Sequence, residues 1–401
     1  MAKKNVAILI HSLSNGGAER AVSNLLQNIQ DIDKKYLFVY TNKVEYDIKA
    51  EIIDLDIKQL NSSKVSIMNI FKKILILFRA VYKLKKYKRK YNIGTTISFL
   101  QDPNILNVLS RKNDKIILSA RVYRSKAKRT TKDKIYDTLI RLFYNKADLI
   151  IAVSEGIKIE LMDNYGIKEE KIKVIYNLVE KNKINNLLDD EIEDEFKHIF
   201  ANPVIINVGR LNHQKGQWHL IRSFSMVKKE VRNAKLVILG RGPYEHNLKE
   251  LSKKLSLEDD IFFLGFQPNP FKFINKSKIF AFSSLYEGFS NALLESMACG
   301  VPVISTDCKT GPRELIVDGS TNEYQYSRIE HGSYGLLTPT FDGKFYSANI
   351  PLTNEEKIFA DGLISLLTND SLREYYSKKA GERSDDFSVD NIISQWEKAI
   401  Y

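Results

Sequence analysis

Short apolar runs alternate with stretches of helical periodicity along this chain, a pattern that restricts it to mostly parallel sheets covered by helices. The first set of runs is Val6–Ile10, Tyr36–Tyr40, Thr95–Phe99, Lys115–Ser119, Leu149–Val153 and Ile172–Ile175. A polar, acidic, apolar-poor segment over 177–194 interrupts the pattern and reads as an interdomain connection. The alternation then restarts with Val204–Val208, Leu236–Leu239, Ile261–Phe263, Ile279–Phe282 and Val301–Ser305, and helical patterns at Glu355–Leu367, Ser371–Phe387 and Val389–Ile400 close the chain. The economical architecture is α/β: two doubly wound, Rossmann-like domains facing each other across a cleft, residues 1–178 and 179–387. A chain of 401 residues has ample length for both cores.

Ligands of such sheets sit beyond the carboxyl ends of the strands, so the loops there carry the candidate chemistry. After the run Ile279–Phe282 comes a small polar loop with Glu287 and Gly288, and a helical pattern begins near Ser290 or Asn291. Glu287 then stands at the crevice and Glu295 about one turn inside the helix. A capping box would explain a glutamate at position 293 or 294, but both are leucine, so Glu295 has no such role. Free backbone N–H groups from Gly288 through Phe289 and Ser290 to Asn291 favour an anionic or hydroxyl-rich ligand. Arg210 and Lys215 leave the end of Val204–Val208 together, where two cations can hold a diphosphate; the plainer alternative is a pair of solvated charges. The lysine precedes Gly216, so this is no ATPase-type phosphate loop, and Gly16-Gly17 after the first run lacks the third glycine of a dinucleotide fingerprint. Gly240-Arg-Gly242-Pro243 and Gly265-Phe266 read as tight turns that bring backbone near the same crevice.

The formal net charge of +12 calls for a partner or surface of opposite sign, and the charge is concentrated. No acidic residue occurs from Ile57 to Gln101, a stretch that holds Lys72, Lys73, Arg79, Lys83, Lys85, Lys86, Lys88, Arg89 and Lys90. Ile67, Ile70, Phe71, Ile74, Leu75, Phe78, Val81, Tyr82 and Leu84 recur among them near helical spacing. Such a helix suits an anionic membrane face; a helix of the sheet with a solvated basic end is the alternative. No nucleic-acid module accompanies the charge, so no nucleic-acid partner is expected. No apolar run reaches membrane-spanning length, Met1-Ala-Lys-Lys leads into a strand rather than a leader, and two cysteines, Cys299 and Cys308, suggest a reducing compartment. The strings Asp31-Ile-Asp33 and Asp54-Leu-Asp56 arise easily by chance and lie away from the crevice residues, so no metal is expected.

Gly16-Gly17-Ala-Glu-Arg, Gly209-Arg210 with Lys215-Gly216, Gly240-Arg-Gly-Pro, Glu287 with Glu295, and Ala-Cys-Gly-Val-Pro-Val together resemble glycosyltransferase family 4, retaining enzymes of the GT-B fold. The resemblance covers nearly the whole chain. It implies a nucleotide-sugar donor held by the C-terminal domain, an acceptor held mainly by the N-terminal one, and a final segment, 388–401, that packs back on the latter. Carried onto this sequence, Arg210 and Lys215 neutralise the donor diphosphate, Glu295 bonds the ribose, Glu287 contacts the sugar ring, and Gly17, Gly265, Phe266 and the amides of Gly288–Ser290 complete the site. No cofactor is held permanently. Many relatives carry a histidine after the strand matching Lys115–Ser119, where this chain has Arg121; with Arg124 and Lys126 it suggests a patch for the diphosphate of a polyprenyl-linked glycan acceptor. The implied function is transfer of a hexose or N-acetylhexosamine, UDP-linked, to that acceptor in bacterial surface polysaccharide synthesis (O-antigen, lipopolysaccharide, capsule). The setting is cytoplasmic, peripheral to the anionic inner membrane face. A GT-B sugar-nucleotide epimerase and a non-catalytic membrane scaffold are the alternatives.

Overall fold

The structure, a computed structural model, describes residues 5–14, 16–30, 32–57, 67–125, 131–319 and 327–401; of 67–74 and 131–132 it describes the backbone only. The chain divides into two compact units, Met1–Leu178 with Val389–Tyr401, and Val179–Ser388. Unit 1 holds β1 (Asn5–Ile10), β2 (Lys35–Val39), β3 (Glu51–Asp54), β4 (Ile93–Phe99), β5 (Lys115–Ala120), β6 (Leu149–Ala152) and β7 (Ile172–Val174). They form one parallel sheet in the order β3-β2-β1-β4-β5-β6-β7. Its central strands are buried without alternation because helices cover both faces. Ile8 and Ile10 point to the face where Val22, Leu25 and Leu26 of the helix Gly17–Asn28 meet Ile392 and Trp396 of the helix Val389–Ile400. Trp396 stacks on Phe99 with ring centroids 6.0 Å apart, and Glu397 Oε1 accepts from the Gln30 N–H at 2.8 Å. Ala7 and Leu9 point to the other face, against Ala80 and Leu84 of the basic helix, which spans Ile67–Lys90.

That helix does not present all its cations to solvent. Ala80, Leu84 and Lys88 follow one another at four-residue spacing on its buried side. Lys88 Nζ lies 2.8 Å from Asp114 Oδ2 and donates to Asn107 Oδ1 at 2.8 Å, while Thr96 Oγ1 donates to the same carboxylate at 2.6 Å. Counting charges assigns Lys88 to the basic surface; the fold makes it the centre of a buried polar network instead. Burial lowers the Lys88 ammonium to about 8, against the pull of Asp114.

Unit 2 holds β8 (Val204–Val208), β9 (Lys235–Leu239), β10 (Ile261–Gly265), β11 (Ile279–Phe282), β12 (Val303–Thr306), β13 (Glu330–His331) and β14 (Leu336–Thr338). The sheet order is β10-β9-β8-β11-β12-β14-β13, parallel except for β13 against β14. Three strands escape the periodicity: β3, an edge strand in which Ile53 alone is buried, and the short β13 and β14. The segment 177–194 is not an open connection either. It contains the helix Lys181–Leu188, whose last carbonyls accept from Asn269 Nδ2 (Leu187 O, 2.8 Å) and Asn275 Nδ2 (Leu188 O, 3.4 Å) within unit 2. Among the described residues no helix is long and apolar enough to cross a membrane.

Removing one partner of a buried ion pair leaves an uncompensated charge, whereas replacing both with apolar groups can be neutral. Asp114→Ala is expected to lower unfolding free energy by about 3–5 kcal/mol, and Lys88→Met/Asp114→Leu to recover most of it. Urea unfolding of the single and double variants checks this; additive losses would mean the pair is not coupled.

Candidate functional site

A doubly wound sheet offers a ligand crevice where the strand order reverses. In unit 2 this falls between β8 and β11, and the loops leaving those strands carry Arg210, Lys215 and Glu287. Lys215 Nζ lies 2.6 Å from Glu287 Oε1, with side-chain exposures of 18% and 7% that make this a largely desolvated pair. The ammonium sits 5.0 Å from the centroid of the Phe282 ring. Gln214 Nε2 donates to Glu287 Oε2 at 3.1 Å and to Tyr286 O at 3.0 Å, so both carboxylate oxygens are held. Leu285 N–H donates to Gln214 O and Ser283 Oγ to Lys215 O, each at 2.8 Å, which fastens the two loops together along their length. Arg210, by contrast, is exposed at the mouth of the same loop.

Gly240 and the loop behind it are explained by close approach. Gly240 has φ +137, and a Cβ there would stand 1.9 Å from Gly209 O, so only glycine lets the β9 turn press against the loop carrying Arg210. Leu211 N–H donates to Arg241 O at 3.0 Å across that contact. The Gly240-Arg-Gly turn thus shapes the loop rather than forming a nucleotide fingerprint of its own. Gly265 ends β10 beside it, and Phe266 is 55% exposed.

Ser290 caps the helix Asn291–Ala298, its Oγ accepting from Leu293 N–H at 3.3 Å. Gly288 and Phe289 are buried in the approach to this cap, and Asn291 opens the helix. Glu295 is half-buried on its second turn; burial, with this carboxylate adjacent, pushes the Cys299 thiol up. Behind the loop, Thr310 Oγ1 donates to Glu287 O, and Arg313 bonds Asp307 (Nε to Oδ2, 3.0 Å) and Glu330 (Nη2 to Oε2, 2.6 Å). Residues 344–351 act as a strap. Trp218 Nε1 donates to Lys344 O (2.8 Å), and Arg222, fully buried, donates to Ser347 O (2.6 Å) and Pro351 O (2.8 Å). Glu356 Oε1 in turn accepts from Arg222 Nε at 2.9 Å and lies 2.7 Å from His219 Nδ1. Burial alone would raise the Glu356 carboxyl, but His219 and Arg222 bring it below its ordinary range. Gln214, Thr310 and Arg222 carry no sequence signal: each acts through a partner far away in the chain.

In unit 1, Gly17 opens the helix that follows β1 and is exposed. Arg121 turns inward, its guanidinium donating to Ser119 Oγ (3.3 Å) and Asn177 Oδ1 and standing 5.4 Å from the Phe99 centroid. Arg124 is held between Asp133 and Asp137, 3.3 and 3.4 Å away. Lys126 lies outside the described residues, as do the side chains of Lys72 and Lys73, while Lys85 and Lys86 are exposed on the helix Ile67–Lys90. Asp54 ends β3; Asp31 lies outside the described residues.

Paired doubly wound sheets, with a cation–carboxylate pair at the reversal of one, define a ligand-binding α/β protein of the class that includes many nucleotide-dependent enzymes. The comparisons with known proteins narrow the class. The model of Glycosyltransferase Family 4 matches residues 15–183 and that of Glycosyl transferases group 1 matches residues 189–326. An uncharacterized glycosyltransferase of Methanocaldococcus jannaschii is 36% identical over 386 residues, covering 92% of this chain and 93% of the relative. The N-acetylgalactosamine-N,N'-diacetylbacillosaminyl-diphospho-undecaprenol 4-alpha-N-acetylgalactosaminyltransferase of Campylobacter jejuni is 34% identical and covers 96% of both chains. Among solved structures, Anabaena HepE in complex with UDP and glucose superposes with a TM-score of 0.75 at 18% identity, covering 99% of each chain. Sucrose-phosphate synthase of Thermosynechococcus elongatus gives 0.74 at 16%, covering 99% of this chain and 98% of the other. The chain belongs to glycosyltransferase family 4 and has the GT-B fold.

The close approach at Gly240 is testable against Gly300, which has φ +69 but nothing within 4 Å of a built Cβ. Gly300→Ala is expected to cost about 1–2 kcal/mol, the backbone term alone. Gly240→Ala is expected to cost more, because the Gly209–Leu211 loop must also move. Chemical denaturation of both variants reads the difference; equal losses would remove the close contact as a cause.

Proposed function

We propose that the chain is a retaining, metal-independent transferase that moves a hexose or N-acetylhexosamine from a UDP-sugar to a polyprenyl-diphosphate-linked glycan during bacterial surface polysaccharide synthesis. The observation that carries this reading is the Lys215–Glu287 pair at the strand reversal, with Arg210 exposed beside it. Glu287 balances Lys215, so Arg210 brings the uncompensated positive charge that a diphosphate requires. Both cations face the negative charge that builds on the departing nucleotide, which is where fixed charges contribute most to rate. Glu295 takes the ribose hydroxyls, Glu287 the sugar ring, and the N–H groups of Gly288–Ser290 the remaining polar contacts. The bond from the anomeric carbon to the diphosphate breaks as the acceptor oxygen bonds to that carbon on the same face. The acceptor's proton passes to a phosphate oxygen, so no protein base is required. The Campylobacter relative, named for its diphospho-undecaprenol acceptor, and HepE, solved with UDP and glucose, support this choice of substrates.

A ligand that binds only the folded state stabilises it by about 2.7 kcal/mol at a hundredfold excess over Kd, enough to move the midpoint by several degrees. In a thermal-shift panel of UDP, GDP, ADP and several UDP-sugars with chelator present, UDP and one UDP-sugar are expected to stabilise the protein. Glu295→Ala should abolish the shift. Stabilisation by GDP or ADP alone would overturn the choice of nucleobase, and silence from every nucleotide would favour the scaffold.

Membrane association belongs to the same reading. On the helix Ile67–Lys90, Leu75, Phe78 and Tyr82 are 44%, 69% and 73% exposed, and Arg79, Lys85, Lys86 and Arg89 share the outward side. Apolar insertion combined with roughly 1 kcal/mol per cation near an anionic surface is enough for peripheral binding. The protein is expected to sediment with phosphatidylglycerol vesicles and not with phosphatidylcholine. Phe78→Asp with Lys85→Glu and Lys86→Glu should release it; undiminished sedimentation of that variant would exclude this face.

A further inference from the structure

Unit 2 holds a cavity of about 420 Å³ between the helix Gln217–Glu230, the strap and the start of the helix Asn354–Thr368, and no residue assigned to the donor lines it. A volume of this order suits a small organic ligand. The charged side chains that line it are all cationic: Arg222, Lys229 and Lys357. Arg222 is already committed, through Nε to Glu356 and through Nη1 and Nη2 to carbonyls of the strap. Lys229 and Lys357 are exposed, and neither ammonium has a partner among the described residues. Lys228, next in the chain, turns the other way and lies 2.8 Å from Asp260.

Three features separate this cavity from an ordinary solvated basic face. Lys357 sits in the first turn of the helix Asn354–Thr368, where a cation opposes the helix dipole, an arrangement that a bound anion relieves. Asn349, also in the lining, accepts from Ser347 Oγ at 2.6 Å through its Oδ1, which leaves its amide N–H groups as donors. Met226, Leu255 and Ile350 supply an apolar wall, with Ile350 45% exposed. Two free ammoniums and an amide beside an apolar wall match an anion of several acceptor oxygens carried on an apolar body.

We propose that this cavity binds a small phosphate monoester and that the ligand acts as an effector of the donor site, the effector role resting on the transferase reading above. The phosphate meets Lys229, Lys357 and the Asn349 amide, and the body of the ester lies on Met226, Leu255 and Ile350. The strap carries the effect. Its Ser347, Ile350 and Pro351 carbonyls accept from Arg222 in the cavity wall, and its Lys344 carbonyl accepts from Trp218 Nε1. His213 Nε2 lies 3.2 Å from the carbonyl oxygen of Gly343, the residue before the strap. His213 and Trp218 stand on either side of Lys215 in the chain, so the strap touches both the cavity and the loop that holds the donor cation. A ligand that orders the strap leaves less ordering for UDP to bring about, and the two then bind cooperatively.

The test is calorimetric titration of the full chain with phenyl phosphate, in saturating UDP so that the donor crevice is filled. Saturable binding is expected, weakened about tenfold in Lys229→Gln/Lys357→Gln, as loss of charge-assisted bonds does. Lys253→Gln/Lys254→Gln removes the same charge from exposed residues outside the cavity and should bind like wild type. Saturating phenyl phosphate should lower the UDP Kd about fivefold in wild type and leave it unchanged in Lys229→Gln/Lys357→Gln; by linkage UDP should tighten phenyl phosphate by the same factor. Dioctanoyl phosphatidic acid distinguishes the sources of the ester: binding tighter than phenyl phosphate would assign the site to a lipid headgroup, weaker binding to a soluble ester, and either upholds the site. Failure of both esters to bind, or equal weakening in the two double variants, would overturn it. Binding that leaves the UDP Kd unchanged would overturn the effector role. A chain that takes phenyl phosphate but no UDP would uphold the site while overturning the transferase reading and the effector role with it.

Discussion

The ion pair between Lys215 and Glu287 joins the two strand ends at which the second sheet reverses, and the loops of the site depend on it. Taking an ammonium and a carboxylate out of water is expensive, and their attraction offsets the cost only where geometry is good and further hydrogen bonds are made. Both conditions hold: the separation is 2.6 Å, Gln214 holds the second carboxylate oxygen, and the Phe282 ring lies near the ammonium. The surroundings are built to keep this geometry. Thr310 fixes the Glu287 carbonyl, the Arg313–Asp307–Glu330 network steadies the following loop, and the strap anchored by Trp218 and Arg222 binds the helix that starts just after Lys215. Such a site is preorganised by bonds made in folding rather than by its ligand.

Much of this was legible in the sequence, and what was not has identifiable causes. The double run of apolar strands is local information, and helices on both faces of each sheet follow from its lack of alternation. The places of Glu287, Glu295, Arg210 and Lys215 could be read because each occupies a strand end or the helix that follows it, a position defined by the same local pattern. Lys88 could not be read, since nothing nearby distinguishes a lysine facing Asp114 from one facing solvent. Its burial depends on a partner in another element, supported by Asn107 and Thr96. The edge strand β3 and the short β13 and β14 were missed for other reasons: β3 buries one side chain, and β13 and β14 are too short to show a period.

Gly240 shows how a local reading can stop short of its cause. Gly-x-Gly after a strand marks a tight turn that brings backbone near the crevice, and the turn is indeed at the carboxyl end of β9. Yet the atom that excludes a side chain there is the Gly209 carbonyl, part of the neighbouring loop. The sequence reports that backbone must come close to something; only the fold says that the something is protein. Arg121 likewise gains its partners only in the fold, where Ser119, Asn177 and Phe99 draw the guanidinium inward.

The two units repeat one construction, a carboxylate at the strand reversal, Glu287 in unit 2 and Asp102 in unit 1, with different burial. At the reversal of unit 2 the carboxylate side chain is 7% exposed, and at that of unit 1 it is 38% exposed. Charge developing on a diphosphate is stabilised through electrostatics, which strengthen as water is excluded, so a desolvated pair fixed by a strap is the effective arrangement.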